Sequence, residues 1–155
     1  MISQSATLSV NNQTFPPPKS NNVWQKGMKS KIYVNRSGIK NAGRGVFAAA
    51  NIRKNEVIEV CPILIFDKRD TTLAMKTALG NYVYAYDGDR TLMALGFGSL
   101  YNNQSPANAK YELQVYDGMS EQDNELVISA LRPISEGEEI LIDYGIPDYL
   151  KMLKA

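Results

Sequence analysis

From residue 31 onward, short apolar runs alternate with glycine, asparagine and proline, whereas the preceding residues are mostly polar. Runs of about four to eight residues between such turn formers predict small twisted sheets rather than a helix bundle. The predicted strands are residues 32–34, 45–48, 56–65, 82–86, 91–95, 109–116, 125–131 and 139–144. Because proline cannot donate to a strand ladder, Pro62 indicates that the third strand is interrupted or lies at a sheet edge.

The middle of the chain contains one convincing helical stretch, residues 71–79. Asp70 or Thr71 is the predicted N-cap, and Gly80 is the predicted terminator. Since the remaining apolar runs have the character of strands, the pattern predicts a mainly β fold with short helices.

The chain divides into three parts by composition. Residues 1–30 are mostly polar and rich in proline, which predicts a flexible leader with Trp24 as its largest apolar residue. Residues 31–146 have the length and apolar content of one domain. Residues 147–155 are predicted to form a short C-terminal helix with Tyr149 on its apolar side.

Charge and residue usage exclude several classes of function. With 17 Lys and Arg against 16 Asp and Glu, the net charge is +1, so strong nucleic-acid binding is not expected. The chain has no histidine, and a single cysteine, Cys61, cannot build a thiolate metal site. Chemistry must therefore use tyrosine, carboxylate, lysine or backbone groups, or a cofactor.

No apolar stretch is long enough for a bilayer span, and Met1–Val10 does not have the pattern of a secretory signal. We therefore expect no membrane partner and a cytoplasmic location. If the chain is viral, the host cytosol or nucleus is expected instead.

Three separated segments carry a resemblance to a known family. They read NAGRGVFA at residues 41–48, GSLYNNQSPANA at 98–109 and ISEGEEILIDYG at 134–145. Their order and spacing resemble the SET domain, most closely its small stand-alone bacterial or viral members. The resemblance implies a SET fold of several small twisted sheets around a knot-like C-terminal crossing, a known exception to simple topology.

The resemblance also implies an activity, the transfer of a methyl group from S-adenosylmethionine to a lysine side chain of a protein. The product is S-adenosylhomocysteine, and no metal is needed because the sulfonium methyl is already activated. Partners implied are a lysine-containing protein, such as a histone or a ribosomal protein, and a homodimer is one option for assembly.

The family's functional residues can be carried over by motif position. The implied cofactor-binding residues are Gly43, Arg44, Gly45, Tyr101, Asn102, Asn103 and Tyr144. The implied catalytic residues are Tyr144 and Tyr82, and the implied substrate channel contains Tyr82, Ile142 and Tyr149. Because Ile142 is aliphatic where many relatives have phenylalanine or tyrosine, we expect room for more than one methyl group.

Tyr82, Tyr84 and Tyr86 alternate along one predicted strand and should share a face. They form either an aromatic channel wall or a sheet surface against the core. The core interpretation is favoured for Tyr84 and Tyr86, whereas Tyr82 resembles the family tyrosine that lines the lysine site.

The central segment departs from the family pattern, since Asn103 stands where histidine is usual. Gln104, Ser105 and Ala107 likewise replace serine, cysteine and proline. An alternative function is therefore a catalytically weak or inactive SET-like protein-binding module. A third interpretation is an unrelated small β-rich structural protein.

Many relatives close the lysine channel with a cysteine-rich zinc module, which this chain does not contain. Ile146, Tyr149 and Leu153 are the residues expected to close it instead. A partner subunit is the alternative.

Overall fold

The computed structural model describes residues 30–145. The strands are β1 (Ile32–Arg36), β2 (Arg44–Ala48), β3 (Val57–Phe66), β4 (Val83–Ala85), β5 (Thr91–Ala94), β6 (Asn102–Asn103), β7 (Ala109–Gln114), β8 (Glu125–Ala130) and β9 (Glu139–Ile142). One α-helix, α1 (Lys68–Met75), is accompanied by 3-10 helices at Ala78–Asn81, Gly98–Leu100 and Glu121–Asp123. The predicted mainly β fold is confirmed.

The strands form two sheets with strand orders β1-β2-β9-β6 and β4-β5-β3-β8-β7. Neighbouring strands are antiparallel except β6 and β9, which are parallel, with Asn102 opposite Leu141 and Asn103 opposite Ile142. The parallel pair joins segments that are remote in sequence. It is therefore compatible with the predicted C-terminal crossing.

The core lies between the sheets because one face of each strand is apolar. In β3, Cys61 and Ile63 are buried, whereas Val60 and Leu64 point outward. A register shift between Val57 and Glu59 brings Ile58 into the core as well. This bulge explains why the buried positions of β3 do not follow a strict alternation.

The expectation for Pro62 was wrong, because β3 runs through it without interruption in the middle of the five-stranded sheet. The ladder with β8 ends at the pair of Pro62 and Glu125, and the ladder with β5 starts at Ile63. The missing N–H of Pro62 therefore falls at the ends of both ladders, where it costs little.

The predicted helix is present but begins earlier. Its N-cap is Asp67, whose side chain accepts a hydrogen bond from the Asp70 backbone N–H at 2.8 Å, so neither Asp70 nor Thr71 is the cap. Thr71 is instead buried, with its hydroxyl 3.0 Å from that of Thr91. The helix ends before Gly80, which lies in the following 3-10 helix.

Residues 1–29 and 146–155, and with them Trp24, Tyr149 and the predicted C-terminal helix, lie outside the described residues. Within residues 30–145, no helix is long and apolar enough to cross a membrane.

Candidate active site

A cavity of about 610 Å³ opens between three parts of the fold. One wall is the loop of residues 41–44, the second is the stretch of residues 80–85 together with Met75, and the third is residues 99–102. Tyr144 contributes from the end of β9. The cavity thus lies where the two sheets meet, beside the parallel pair of β6 and β9.

Six of the predicted site residues line this cavity. They are Gly43, Arg44, Tyr82, Tyr101, Asn102 and Tyr144. Residues far apart in sequence are therefore brought to one place, as the motif order predicts. Their individual roles stay predictions until a bound ligand or a variant tests them.

Three other predicted site residues lie in the described part of the chain but do not line the cavity. Gly45 is buried beneath it, and Ile142 is completely buried in the core. Asn103 lies on the exposed side of β6. The assignment of Ile142 to a lysine channel stays a prediction, and Tyr149 lies outside the described residues.

Tyr144 is held by three hydrogen bonds. Its hydroxyl donates to the backbone carbonyl of Tyr101 at 2.7 Å, and its backbone N–H donates to Oδ1 of Asn103 at 2.8 Å. Its own carbonyl accepts from the Tyr111 hydroxyl at 3.0 Å. Asn103, at the family's histidine position, thus orients the backbone of Tyr144 through its side chain.

Burial raises the pKa of the Tyr144 hydroxyl, so the phenol keeps its proton at neutral pH. Because that proton is donated to the Tyr101 carbonyl, only the oxygen lone pairs remain for a ligand. Tyr144 can therefore accept a hydrogen bond in the cavity and does not act there as a phenolate base.

The side-chain amide of Asn102 is fixed by two acceptors. Its Nδ2 donates to the carbonyl of Arg44 at 3.0 Å and to Oε1 of Glu139 at 2.9 Å. These bonds join the first residue of β2, the central segment and β9. Asn102 consequently stands at the point where all three motif segments meet.

Tyr82, Tyr84 and Tyr86 do not share one strand face, because β4 spans only Val83–Ala85. Tyr82 ends the preceding 3-10 helix and is exposed, whereas Tyr84 is buried and donates to the carbonyl of Gly98 at 2.5 Å. The predicted core position is confirmed for Tyr84, and Tyr86 packs against the core with partial burial. Tyr84 and Tyr82 both line the cavity.

Glu59, which was not predicted from the sequence, bonds to the cavity residue Tyr101 and to Phe97. Glu59 accepts from the Tyr101 hydroxyl at 2.9 Å and from the Phe97 backbone N–H at 2.9 Å. Burial, followed by the charge of Glu59, raises the pKa of Tyr101. The same two causes raise the pKa of Cys61 to about 12, so the thiol stays protonated.

Three further residues whose contacts were not predicted hold the segments of the site together. Asn108 and Tyr111 hold β9 and Tyr144, and Glu139 holds Asn102. The motif spacing indicated that these segments meet, but a spacing does not show which side chain bonds to which backbone group. For Asn108 a signal existed, since it matches the asparagine that closes the family's central segment.

The cavity lining carries positive charge and no negative charge among the described residues. Among the described residues that line it, Arg44 is the charged one, and no carboxylate is present. Residues 30–145 also contain no cluster of three or more acidic or cysteine side chains arranged to hold a metal ion. The lining suits a ligand with an anionic group, an apolar part and hydrogen-bond donors.

Comparison with known proteins identifies the fold and the family. The SET domain family matches residues 43–145. A Schizosaccharomyces pombe protein, the "Histone-lysine N-methyltransferase, H3 lysine-37 specific", is 34% identical over 104 residues, covering 66% of this chain and 67% of the relative. The zebrafish (Danio rerio) "N-lysine methyltransferase KMT5A-A" is 29% identical, and the chain spans only 33% of its length.

This chain is also similar to solved structures. A candidate histone methyltransferase from Plasmodium falciparum is 32% identical with a TM-score of 0.62, covering 79% of this chain and 99% of that one. The structure of ctPRC2 bound to S-adenosylmethionine is 15% identical with a TM-score of 0.66, which shows the fold alone; it covers 81% of this chain and 17% of that one. This chain belongs to the SET-domain family.

Proposed function

We propose that this protein transfers the methyl group of S-adenosylmethionine to the side-chain amine of a lysine in a protein substrate. The observation that carries the proposal is the meeting of Tyr144, Asn102 and the loop of residues 41–44 around one cavity. The names of the relatives, which are lysine methyltransferases, support the same activity.

The lining residues fit the cofactor chemically. The guanidinium of Arg44 suits a carboxylate, and the Asn102 amide and the backbone of the loop suit the polar edges of a nucleoside. Gly43 has φ +77° and no atom within 4 Å of the position that a Cβ would take, so its backbone stands open. When bound, S-adenosylmethionine supplies an electrophilic methyl group on a sulfonium.

The protein's own contribution is then to orient the amine and to exclude water. The Tyr144 oxygen, which keeps its lone pairs free, accepts an N–H of the lysine amine and directs the nitrogen lone pair into the cavity. Tyr82 and Tyr84 provide aromatic surface for the aliphatic stem. Since the described lining contains no carboxylate, the proton of the lysine ammonium is lost to water.

The proposal extends to the class of protein substrate and to the segment that closes the lysine channel. The histone methyltransferase relatives favour a histone substrate and a nuclear or cytosolic site of action.

Residues 147–155, with Tyr149, are proposed to close the lysine channel. Deleting the residues after Gly145 should then abolish methylation while the remaining domain still melts cooperatively.

The activity is tested by incubating the full chain with histone octamers and S-adenosylmethionine and identifying methyl-lysine by mass spectrometry. Tyr144→Phe should lower the rate by roughly a hundredfold. Tyr33→Phe, at a partly exposed tyrosine of β1 outside the cavity, is the matched control and should retain full activity.

If no histone is methylated, a measurement of cofactor binding is needed to decide which part of the proposal is wrong. Calorimetric titration with S-adenosylhomocysteine separates the two remaining outcomes. Binding without turnover favours the alternative of a SET-like binding module, and no binding rejects the cofactor site itself.

A further inference from the structure

The amide orientation of Asn102 is determined by its neighbours. Both groups that its side chain meets, the carbonyl of Arg44 and the carboxylate of Glu139, can only accept hydrogen bonds. The nitrogen must therefore face them, and its two hydrogens are both used. No donor within residues 30–145 reaches Oδ1, and the side chain lines the cavity.

Glu139 is itself anchored on its other oxygen. Its Oε2 accepts from the Ser37 hydroxyl and from the Gly38 backbone N–H, each at 3.1 Å. Its position on β9 is set by the pairing with Phe47 on β2. The carboxylate is thus held from two sides before it meets Asn102.

Gly45 makes the meeting of these two side chains possible. A Cβ at this position would collide with Oε1 of Glu139 and with Nδ2 of Asn102. The second glycine of the Gly43-Arg44-Gly45 motif therefore makes room for a protein carboxylate. The role of Gly45 in cofactor binding, which the resemblance implies, stays a prediction beside this one.

We propose that Glu139 is a positioning residue that makes Asn102 a hydrogen-bond acceptor for the cofactor. By occupying the amide nitrogen, the carboxylate leaves Oδ1 as the group that Asn102 presents to the cavity. The matching donors on the cofactor are its ammonium, its adenine amine and its ribose hydroxyls. The inference rests on the proposed S-adenosylmethionine site.

Glu139→Gln is the variant that tests it. The new side chain has the same shape, but its NH₂ group can donate to Oδ1 of Asn102. The Arg44 carbonyl alone then still requires the amide nitrogen, so the turned-over amide, which presents its nitrogen to the cavity, becomes populated. The dissociation constant for S-adenosylhomocysteine, measured by calorimetry, should rise about tenfold. In turnover, KM for S-adenosylmethionine should rise while kcat at saturation stays within a factor of about two.

Two control variants separate positioning from a structural role. Glu136→Gln removes the same charge at an exposed position three residues away and should leave binding unchanged. Ser37→Ala removes an anchor of Glu139 but keeps the bond to Asn102, so its effect should be clearly smaller than that of Glu139→Gln.

A double-mutant cycle decides whether Glu139 acts through Asn102. In an Asn102→Ala background, Glu139→Gln should have no further effect on S-adenosylhomocysteine binding. Equal losses in both backgrounds, or unchanged binding by Glu139→Gln alone, would overturn the inference. Failure of the wild-type chain to bind S-adenosylhomocysteine would instead reject the proposed function.

A spectroscopic readout does not depend on the cofactor. In the wild-type chain, NMR should show slow hydrogen exchange of both Asn102 side-chain amide protons, because both are bonded. Glu139→Gln should accelerate the exchange, and Glu136→Gln should not. Fast exchange in the wild type would contradict the assigned orientation.

Discussion

Two regions of the cavity wall are stabilised by different kinds of interaction, hydrogen bonds in one and exposed ion pairs in the other. The crossing, defined here as residues 101–108 against residues 139–145, is held by buried amide and backbone hydrogen bonds. The hairpin of β4 and β5, which carries Tyr84, is held at its turn by exposed ion pairs of Arg90 with Asp87 and Glu121. Bonds of the first kind are costly to break, whereas those of the second kind are screened by salt.

Asn108 shows the difference most clearly. It is 2% exposed, its Nδ2 donates to the Glu139 carbonyl at 2.8 Å, and its Oδ1 accepts from the Leu141 N–H at 2.7 Å. A single side chain thus bonds the β9 backbone at Glu139 and Leu141, in addition to the pairing of β9 with β2 and β6. The comparison teaches that Tyr144 and Asn102 rest on the hydrogen bonds of the crossing, whereas the turn of the opposite hairpin depends on a surface network of charges.

The largest effect is expected from Asn108→Ala. Two partly buried backbone groups, the Leu141 N–H and the Glu139 carbonyl, lose their partner, and each such loss costs about 1–3 kcal/mol. The free energy of unfolding, measured in urea, should fall by roughly 3 kcal/mol. Asn51→Ala, at an exposed asparagine whose Oδ1 accepts from the Glu136 N–H, is the control. Equal losses for the two variants would show that the burial of Asn108 does not make its bonds more costly to lose than exposed ones.

The second prediction concerns alkaline pH. Burial, and then the charge of Glu59, raises the pKa of Tyr101, so its stabilising contribution is complete below the unfolded tyrosine pKa of about 10 and is lost as pH rises above it. The slope for this residue should approach about 1.4 kcal/mol per pH unit. Urea unfolding between about pH 8 and 11 measures it. A Tyr101→Phe chain should show a shallower decline, and an identical slope would show that Tyr101 is not shielded from water.

A smaller effect is expected from Glu59→Gln, which weakens the support beneath the crossing. The variant retains the shape but has one acceptor oxygen instead of two. It can still accept from the Phe97 N–H, whereas its NH₂ group then faces the Tyr101 hydroxyl, which must accept instead of donating. The unfolding free energy should fall by about 1 to 2 kcal/mol. Glu112→Gln, which breaks an exposed pair with Lys110, serves as the reference and should change little.

The smallest effect is expected from Arg90→Ala in the hairpin. Its guanidinium pairs with Asp87 and Glu121 near the surface and lies 4.9 Å from the Tyr86 ring centroid. The loss in unfolding free energy should be smaller than for the other variants and should shrink in about 1 M NaCl, where screening is strong. A loss that does not depend on salt would show that packing on Tyr86, rather than charge, holds the hairpin.

The strands were predicted from sequence to within a few residues, because alternating apolar positions depend on local pattern alone. The exceptions are informative. β6 consists of two asparagines, which have no strand preference, and it exists only because β9 pairs with it. Pro62 looked like a strand breaker, yet it lies where two ladders end.

The candidate site shows the same division. Motif position placed Tyr144, Asn102, Arg44 and Tyr82 at one cavity, and the structure brings them there. It did not reveal Glu59 or Glu139, because a glutamate side chain contributes to such a site only through partners far along the chain.

By itself, the sequence determined the fold class, the strands and the family, since these depend on local alternation and on motifs that can be read in order. Only the tertiary structure decided which oxygen and nitrogen atoms face each other at the crossing. Hydrogen-bond direction is a property of two groups in space, and those groups lie up to 102 residues apart in the chain, as for Ser37 and Glu139.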